Sequence, residues 1–234
     1  VMETLLLETK QLKRVFGHGS GAVTALQDVS IKVPKGRLLV LKGRSGSGKT
    51  TLLNLLGGLD RPTEGEVYFE QKALSKMSES ARTELRRRRI GFIFQSFGLF
   101  PLLSAAENVE FGLRLAGVAR SEWKSRTAEA LELVGLGKRG SHRPFEMSGG
   151  EQQRCAIARA LAARPPLILA DEPTAELDTK TGGKIVALFR EWIAKEGVTI
   201  LMTTHDPAIM EAADDVYELE DGRIKGGNTD EVEH

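Results

Sequence analysis

The stretch "GRSGSGKTT", residues 43–51, constrains this chain more than any other. Gly43, Gly48, Lys49 and Thr50 match the spacing G-x-x-x-x-G-K-[ST]. "LLVL" at 38–41 reads as a short buried strand ahead of it, and "TTLLNLLGGL" has helical apolar spacing behind it. A glycine-rich turn between a strand and a helix lets backbone N–H groups close around phosphate oxygens without a side chain in the way. The helix N-terminus adds a field that favours an anion. Gly43, Arg44, Ser45, Gly46, Ser47, Gly48 and Thr51 are therefore expected to line a nucleotide site. Lys49 is expected to reach the β- and γ-phosphates, and Thr50 to ligate Mg²⁺.

A loop of this kind needs acids opposite it, and "LILADEP" at 167–173 supplies them. Four apolar residues form a buried strand ending in Asp171, placed to hold Mg²⁺ through water, and Glu172, placed to orient or deprotonate a water. Two other strands end in polar residues: "GFIF" runs into Gln95 and "ILMTT" into His205. Ligands of open α/β sheets sit beyond the carboxyl ends of the strands, so Lys49, Gln95, Asp171 and His205 are expected to converge. For His205, spacing alone leaves a catalytic and a structural role equally open.

The rest of the chain is organised around that core. The first third is strand-rich ("LLLETKQLKRVF", "VTALQDVSIKV", "GEVYFE"), with the turn signal Pro34-Lys35-Gly36 before the loop strand, and "RIGFIFQ" reads as a strand ending at Gln95. Residues 98–163 turn helical, and strands then alternate with helices until "VYELEDGRIKGG" closes as a hairpin on Asp221-Gly222. The expected fold class is α/β: a core with a mixed, largely parallel sheet (about 4–97 and 164–225), an N-terminal antiparallel β subdomain, and an inserted α-helical subdomain (about 98–163). Residues 226–234 read as a polar tail, and Val1-Met2 as an addition ahead of the natural start.

Lysine plus arginine number 33 and aspartate plus glutamate 32, a balance that argues against a dedicated nucleic-acid binder. The four histidines and one cysteine have no zinc-ligand spacing, and Cys155 reads as a small buried residue. The run Arg86–Arg89 reads as a solvated helix end. No apolar run is long enough to span a membrane, and no signal peptide is apparent.

"MSGGEQQR" at 147–154 resembles a second phosphate site. Ser148 as N-cap with Glu151 three residues on makes a capping box. That does not account for Gly149 and Gly150, each of which costs a helix about 1 kcal/mol relative to alanine. Glycines there leave the amides open to close approach.

In order and spacing these motifs resemble those of an ABC-transporter ATPase subunit. "GRSGSGKTT" is similar to its Walker A, Gln95 to its Q-loop, "MSGGEQQR" to its signature, "LILADEP" to its Walker B, "AELD" at 175–178 to its D-loop, and His205 to its switch histidine. The resemblance covers about residues 4–225. It implies a P-loop NTPase fold, ATP and Mg²⁺ as cofactors, and hydrolysis with Glu172 as general base and His205 on the γ-phosphate. Gln95 would touch the metal site and link it to a membrane permease. Two copies would pack head to tail as an ATP-sandwich homodimer, with Ser148, Gly149, Gly150 and Glu151 reaching the partner's ATP and Asp178 at the interface. Phe16 stands where the family places an aromatic on adenine; an ordinary strand-end aromatic is the other reading. The subunit would be cytoplasmic, peripheral on the inner face of the cell membrane.

"LLNLLGGLDRPTEGEV" and "RRRIGFIFQSFGLFPLLSAAENVEFGL" are similar to the LolD/MacB/FtsE branch. Its members work beside permeases with large extracytoplasmic domains in lipoprotein release, macrolide or peptide export, or peptide-antibiotic resistance. An FtsE-like regulator of cell-wall hydrolases shares every motif, and a nucleic-acid-linked ABC ATPase is the more distant alternative. Three positions depart from the family pattern: Met147 and Glu151 in the signature, and Glu176, which brings a charge to the expected interface.

Overall fold

The computed structural model describes residues 4–226. Val1-Met2 and nearly all of the expected polar tail lie outside them. In chain order the elements are β1 (Leu5–Phe16), β2 (Val23–Val29), β3 (Lys32–Pro34), β4 (Leu38–Lys42), α1 (Lys49–Leu56), β5 (Glu64–Phe69), β6 (Lys72–Ala73), α2 (Glu79–Arg89) and β7 (Ile90–Ile93). They continue with α3 (Ala105–Leu115), α4 (Arg120–Leu133), α5 (Gly149–Ala162), β8 (Leu167–Ala170), α6 (Thr179–Glu196), β9 (Thr199–Thr203), α7 (Pro207–Glu211), β10 (Asp215–Glu220) and β11 (Arg223–Gly226).

Two sheets form among the described residues. One is antiparallel, in the order β2-β1-β5-β6 with β3 also on β1; the other runs β11-β10-β4-β9-β8-β7. In the second sheet β10, β4, β9, β8 and β7 are parallel to their neighbours and only β11 is antiparallel. Its central strands are buried and largely apolar because both faces are covered. Alternate residues enter different cores. Leu39, Leu41, Leu167, Leu169 and Leu201 pack with Leu12, Leu26, Val67 and Leu52, towards the antiparallel sheet and α1. Leu38, Val40, Ile168, Ala170, Ile200 and Met202 pack with Val109, Leu113, Ile157, Leu161, Phe189 and Trp192, from α3, α5 and α6.

Three local expectations need correction. "VTALQDVSIKV" is two strands, because Thr9 takes over the ladder at the break: its hydroxyl donates to Val29 O (3.0 Å) and accepts from Ile31 N–H (2.9 Å). The strand expected to reach Gln95 stops at Ile93, whose carbonyl accepts the last bond, from Asp171 N–H (2.8 Å). β6 was not foreseen, since its turn is Glu70-Gln71, both at positive φ without a glycine to signal it.

The arginine run at the end of α2 is largely engaged. Arg87 and Arg88 pair with Glu84, Arg89 with Glu70, and Arg86 donates to Gly58 O.

Candidate functional site

Parallel strands bring their carboxyl ends to one edge, and four of them deliver the polar residues picked out in the sequence. Gly43 follows β4, Asp171 follows β8, His205 lies just past β9 and Gln95 just past β7. They open on a cleft of about 470 Å³ lined by Ala25, Ser45, Gly46, Gly48, Lys49, Thr50, Thr51, Gln95, Asp171, Glu172 and His205.

The glycine loop wraps tightly. At Gly48 φ is +106°, and a Cβ there would sit 2.6 Å from Ala25 O; one at Gly43 would sit 2.2 Å from Leu219 O. Lys49 Nζ donates to Gly43 O (2.7 Å) and Arg44 O (3.0 Å), so the lysine closes the loop on itself. Ser47 Oγ is buried and has no hydrogen-bond partner among the described residues. The loop backbone is held from outside by Gly222 N–H, which donates to Ser47 O (3.0 Å).

Asp171 is bound at both carboxylate oxygens. Thr50 Oγ1 donates to Oδ2 (2.7 Å) and Thr203 Oγ1 to Oδ1 (2.8 Å). Glu172 takes φ +46°, a left-handed backbone uncommon for a residue with a Cβ. Its N–H donates to Thr203 Oγ1 (2.8 Å), and its Oε1 lies 3.2 Å from His205 Nε2. The Thr50 hydroxyl, the Asp171 carboxylate and the Gln95 amide line the cleft, and their oxygens are the donor type that suits a hard divalent cation such as Mg²⁺.

The remaining residues singled out in the sequence lie away from this cleft. Ser148 caps α5 in a complete capping box: its Oγ accepts from Glu151 N–H (3.2 Å), and Glu151 Oε2 accepts from Ser148 N–H (2.9 Å). That N–H, with Arg139 behind it, holds the Glu151 carboxyl below the usual carboxylate range. Gly149 and Gly150 form the first turn, and Glu176 lies over them: a Cβ on Gly149 would meet Glu176 Oε2 at 3.6 Å. Asp178 caps α6 by accepting from Thr181 N–H (3.0 Å), and hydrogen bonding to the Thr181 hydroxyl and then to its amide lowers the carboxyl pKa. Phe16 ends β1, 42% exposed, with the Arg14 guanidinium 4.3 Å over its ring and Arg14 in turn paired with Asp60.

Three residues that the sequence reading passed over tie these parts together. Thr203 touches both acids. Gln153 on α5 donates to Pro173 O (3.0 Å), just past them. Arg159, also on α5 and half-buried, donates to the carbonyls of Phe97 and Gly98 in the loop after Gln95. The available signal for Thr203 was a hydroxyl following the apolar run Ile200–Met202; for Gln153 and Arg159 no local signal existed, because their partners lie 20 and more than 60 residues away.

The ABC transporter family model matches residues 26–175. An uncharacterized ABC transporter ATP-binding protein of Thermotoga maritima is 47% identical over 94% of both chains. The lipoprotein-releasing system ATP-binding protein LolD of Chromohalobacter salexigens is 44% identical over 94% of this chain and 93% of its own. Among solved structures, a dimeric ATP-binding cassette of Methanocaldococcus jannaschii, in a post-hydrolysis state bound to ADP and Pi, superposes with a TM-score of 0.90 at 39% identity, over 94% of this chain and 97% of that one. With the motifs, the α/β P-loop fold and the cleft in agreement, the chain belongs to the ABC transporter family, as one of its ATP-binding ATPase subunits.

Proposed function

We propose that two copies of this chain close head to tail on two ATP molecules and that closing and opening drive a membrane permease with a large extracytoplasmic domain, of the lipoprotein-release or macrolide/peptide-export type. The carrying observation is a division within one chain. Lys49, Thr50, Gln95, Asp171, Glu172 and His205 share one cleft, while Ser148 caps a helix outside it whose first turn, Gly149 and Gly150, carries no side chain over its amides. A second copy is the natural source of phosphate for those amides. The M. jannaschii cassette is dimeric, which supports this arrangement. In this reading the chain is one ABC ATPase domain, with 98–163 as a helical subdomain inserted into the core.

Each residue then has a task. The loop amides and Lys49 hold the β- and γ-phosphates, and Phe16 offers its ring face to adenine. Thr50, Asp171 and Gln95 would hold Mg²⁺, which when bound neutralises charge on the β- and γ-oxygens. Glu172 accepts the proton of the water that attacks the γ-phosphorus as the bond to ADP breaks. His205, with Nε2 3.2 Å from Glu172 Oε1, is the residue that would contact the γ-phosphate beside that base. No helix among the described residues is long and apolar enough to cross a membrane.

Glu172→Gln keeps the shape of the site and removes the base. With saturating Mg-ATP it should hydrolyse at least 100-fold more slowly, on the order of a lost general base, and should accumulate as a dimer by light scattering. A variant that stays monomeric under those conditions would refute the sandwich.

A further inference from the structure

One side chain in the catalytic corner belongs to none of the sequence motifs. Thr203 is the last residue of β9 and is fully buried. β9 lies between β4, which feeds the glycine loop, and β8, which feeds the acids. In register, Thr203 stands beside Leu41. Its hydroxyl uses its one hydrogen on Asp171 Oδ1 and a lone pair on Glu172 N–H, both at 2.8 Å. A single oxygen thus bridges the carboxylate of one acid and the backbone of the next.

Each acid has reason to need that bridge. The main chain of Asp171 is already fixed by its N–H bond to Ile93 O, yet this leaves the carboxylate free to rotate. Thr50 holds Oδ2 from the loop side. Thr203 holds Oδ1 from the rigid sheet. Glu172 takes a left-handed φ of +46°, a conformation that persists only where surroundings impose it. The bond from its N–H to Thr203 is the hydrogen bond that anchors this residue's own amide.

We propose that Thr203 is a positioning residue for ATP hydrolysis, fixing the Asp171 carboxylate and the backbone of Glu172 at once and so setting the aim of the Glu172 side chain. The proposal rests on the reading of Glu172 as general base. It goes beyond that reading in placing the control of its geometry on β9.

Thr203→Val and Thr203→Ser in the full chain test this. Valine keeps the shape and loses the hydroxyl; serine keeps the hydroxyl and loses a methyl. Removing an outer-shell partner of this kind costs activity about 10–100-fold. Thr203→Val should therefore lower kcat by that factor with the KM for ATP little changed, and hydrogen exchange at the Glu172 amide should accelerate in the nucleotide-free protein. Thr203→Ser should recover both the rate and the slow exchange. Unchanged kcat and unchanged exchange in Thr203→Val would overturn the proposal. So would equal losses in the Val and Ser variants, which would assign the effect to packing. The exchange measurement separates this idea from its foundation: if Glu172→Gln hydrolyses normally, the base assignment fails, whereas fast exchange in Thr203→Val still reports the bridge.

Discussion

Adding one methyl group at Gly149 separates the task this residue has in the fold from the task proposed for it in a second copy. Gly149 lies in the first turn of α5 with helical geometry, and a Cβ there would meet only Glu176 Oε2 at 3.6 Å and Phe97 Cζ at 3.9 Å, ordinary contacts. Alanine is the better helix former by about 1 kcal/mol. Gly149→Ala should therefore melt at or slightly above the wild-type temperature and bind ATP on its own loop. ATP-driven dimerisation and hydrolysis should fall sharply, because the methyl covers the amide that a neighbour's phosphate would approach. Wild-type turnover in this variant would leave the glycines without a role in trans. Other residues in the site were legible one by one: Lys49, Thr50, Asp171 and Glu172 each follow a recognisable apolar or glycine-rich stretch. Thr203 was not, since its significance depends on which strand lies next to β8.

At the scale of elements, the closing hairpin matters more to the nucleotide loop than its place in the chain suggests. Asp221 and Gly222 both take positive φ, as a two-residue type I′ turn requires. Gly222 O accepts from Gln27 N–H (2.8 Å), and Gly222 N–H donates to Ser47 O. A Cβ at Gly222 would lie 2.6 Å from Ala25 O. Gly222→Ala should destabilise the protein by about 1–3 kcal/mol, the scale of a forced left-handed backbone, as read by urea unfolding. It should also weaken ATP binding, since the turn braces the loop and β2 together. Unaltered unfolding and affinity would remove the hairpin from the support of the site. The turn itself was readable from Asp-Gly; its docking against Ser47 and Ala25 was not, because most of the chain separates them.

For the molecule as a whole, the helices α3, α4 and α5 and the parallel sheet share one continuous core, with Cys155 inside it. Its Sγ lies 3.7 Å from Ala105 O, between α5 and α3, and burial pushes the thiol up to about 11. Thiolate is the reactive form, so at pH 8 only about one thiol in a thousand is ionised in the folded protein. Cys155 should resist alkylation at that pH until α3 parts from α5, and the labelling rate in urea should follow global unfolding. Rapid labelling of the native protein would mean that the helical layer opens independently of the sheet. Arg159 and Gln153 argue against such independence, since both run from α5 to loops that follow strands of the sheet.

What the sequence determined by itself was local chemistry. A glycine-rich loop between a strand and a helix, acids at the end of an apolar strand and a capping box ahead of two glycines are all short-range patterns, and each carries its own physical reason. The tertiary structure alone decided which of these meet. It gathered Lys49, Gln95, Asp171, Glu172 and His205 at one sheet edge, kept Ser148–Gly150 out of that cleft, and set Thr203 between the two acids. The reason is strand order: β4, β9 and β8 are adjacent in space but far apart in the chain, and no local pattern encodes that adjacency.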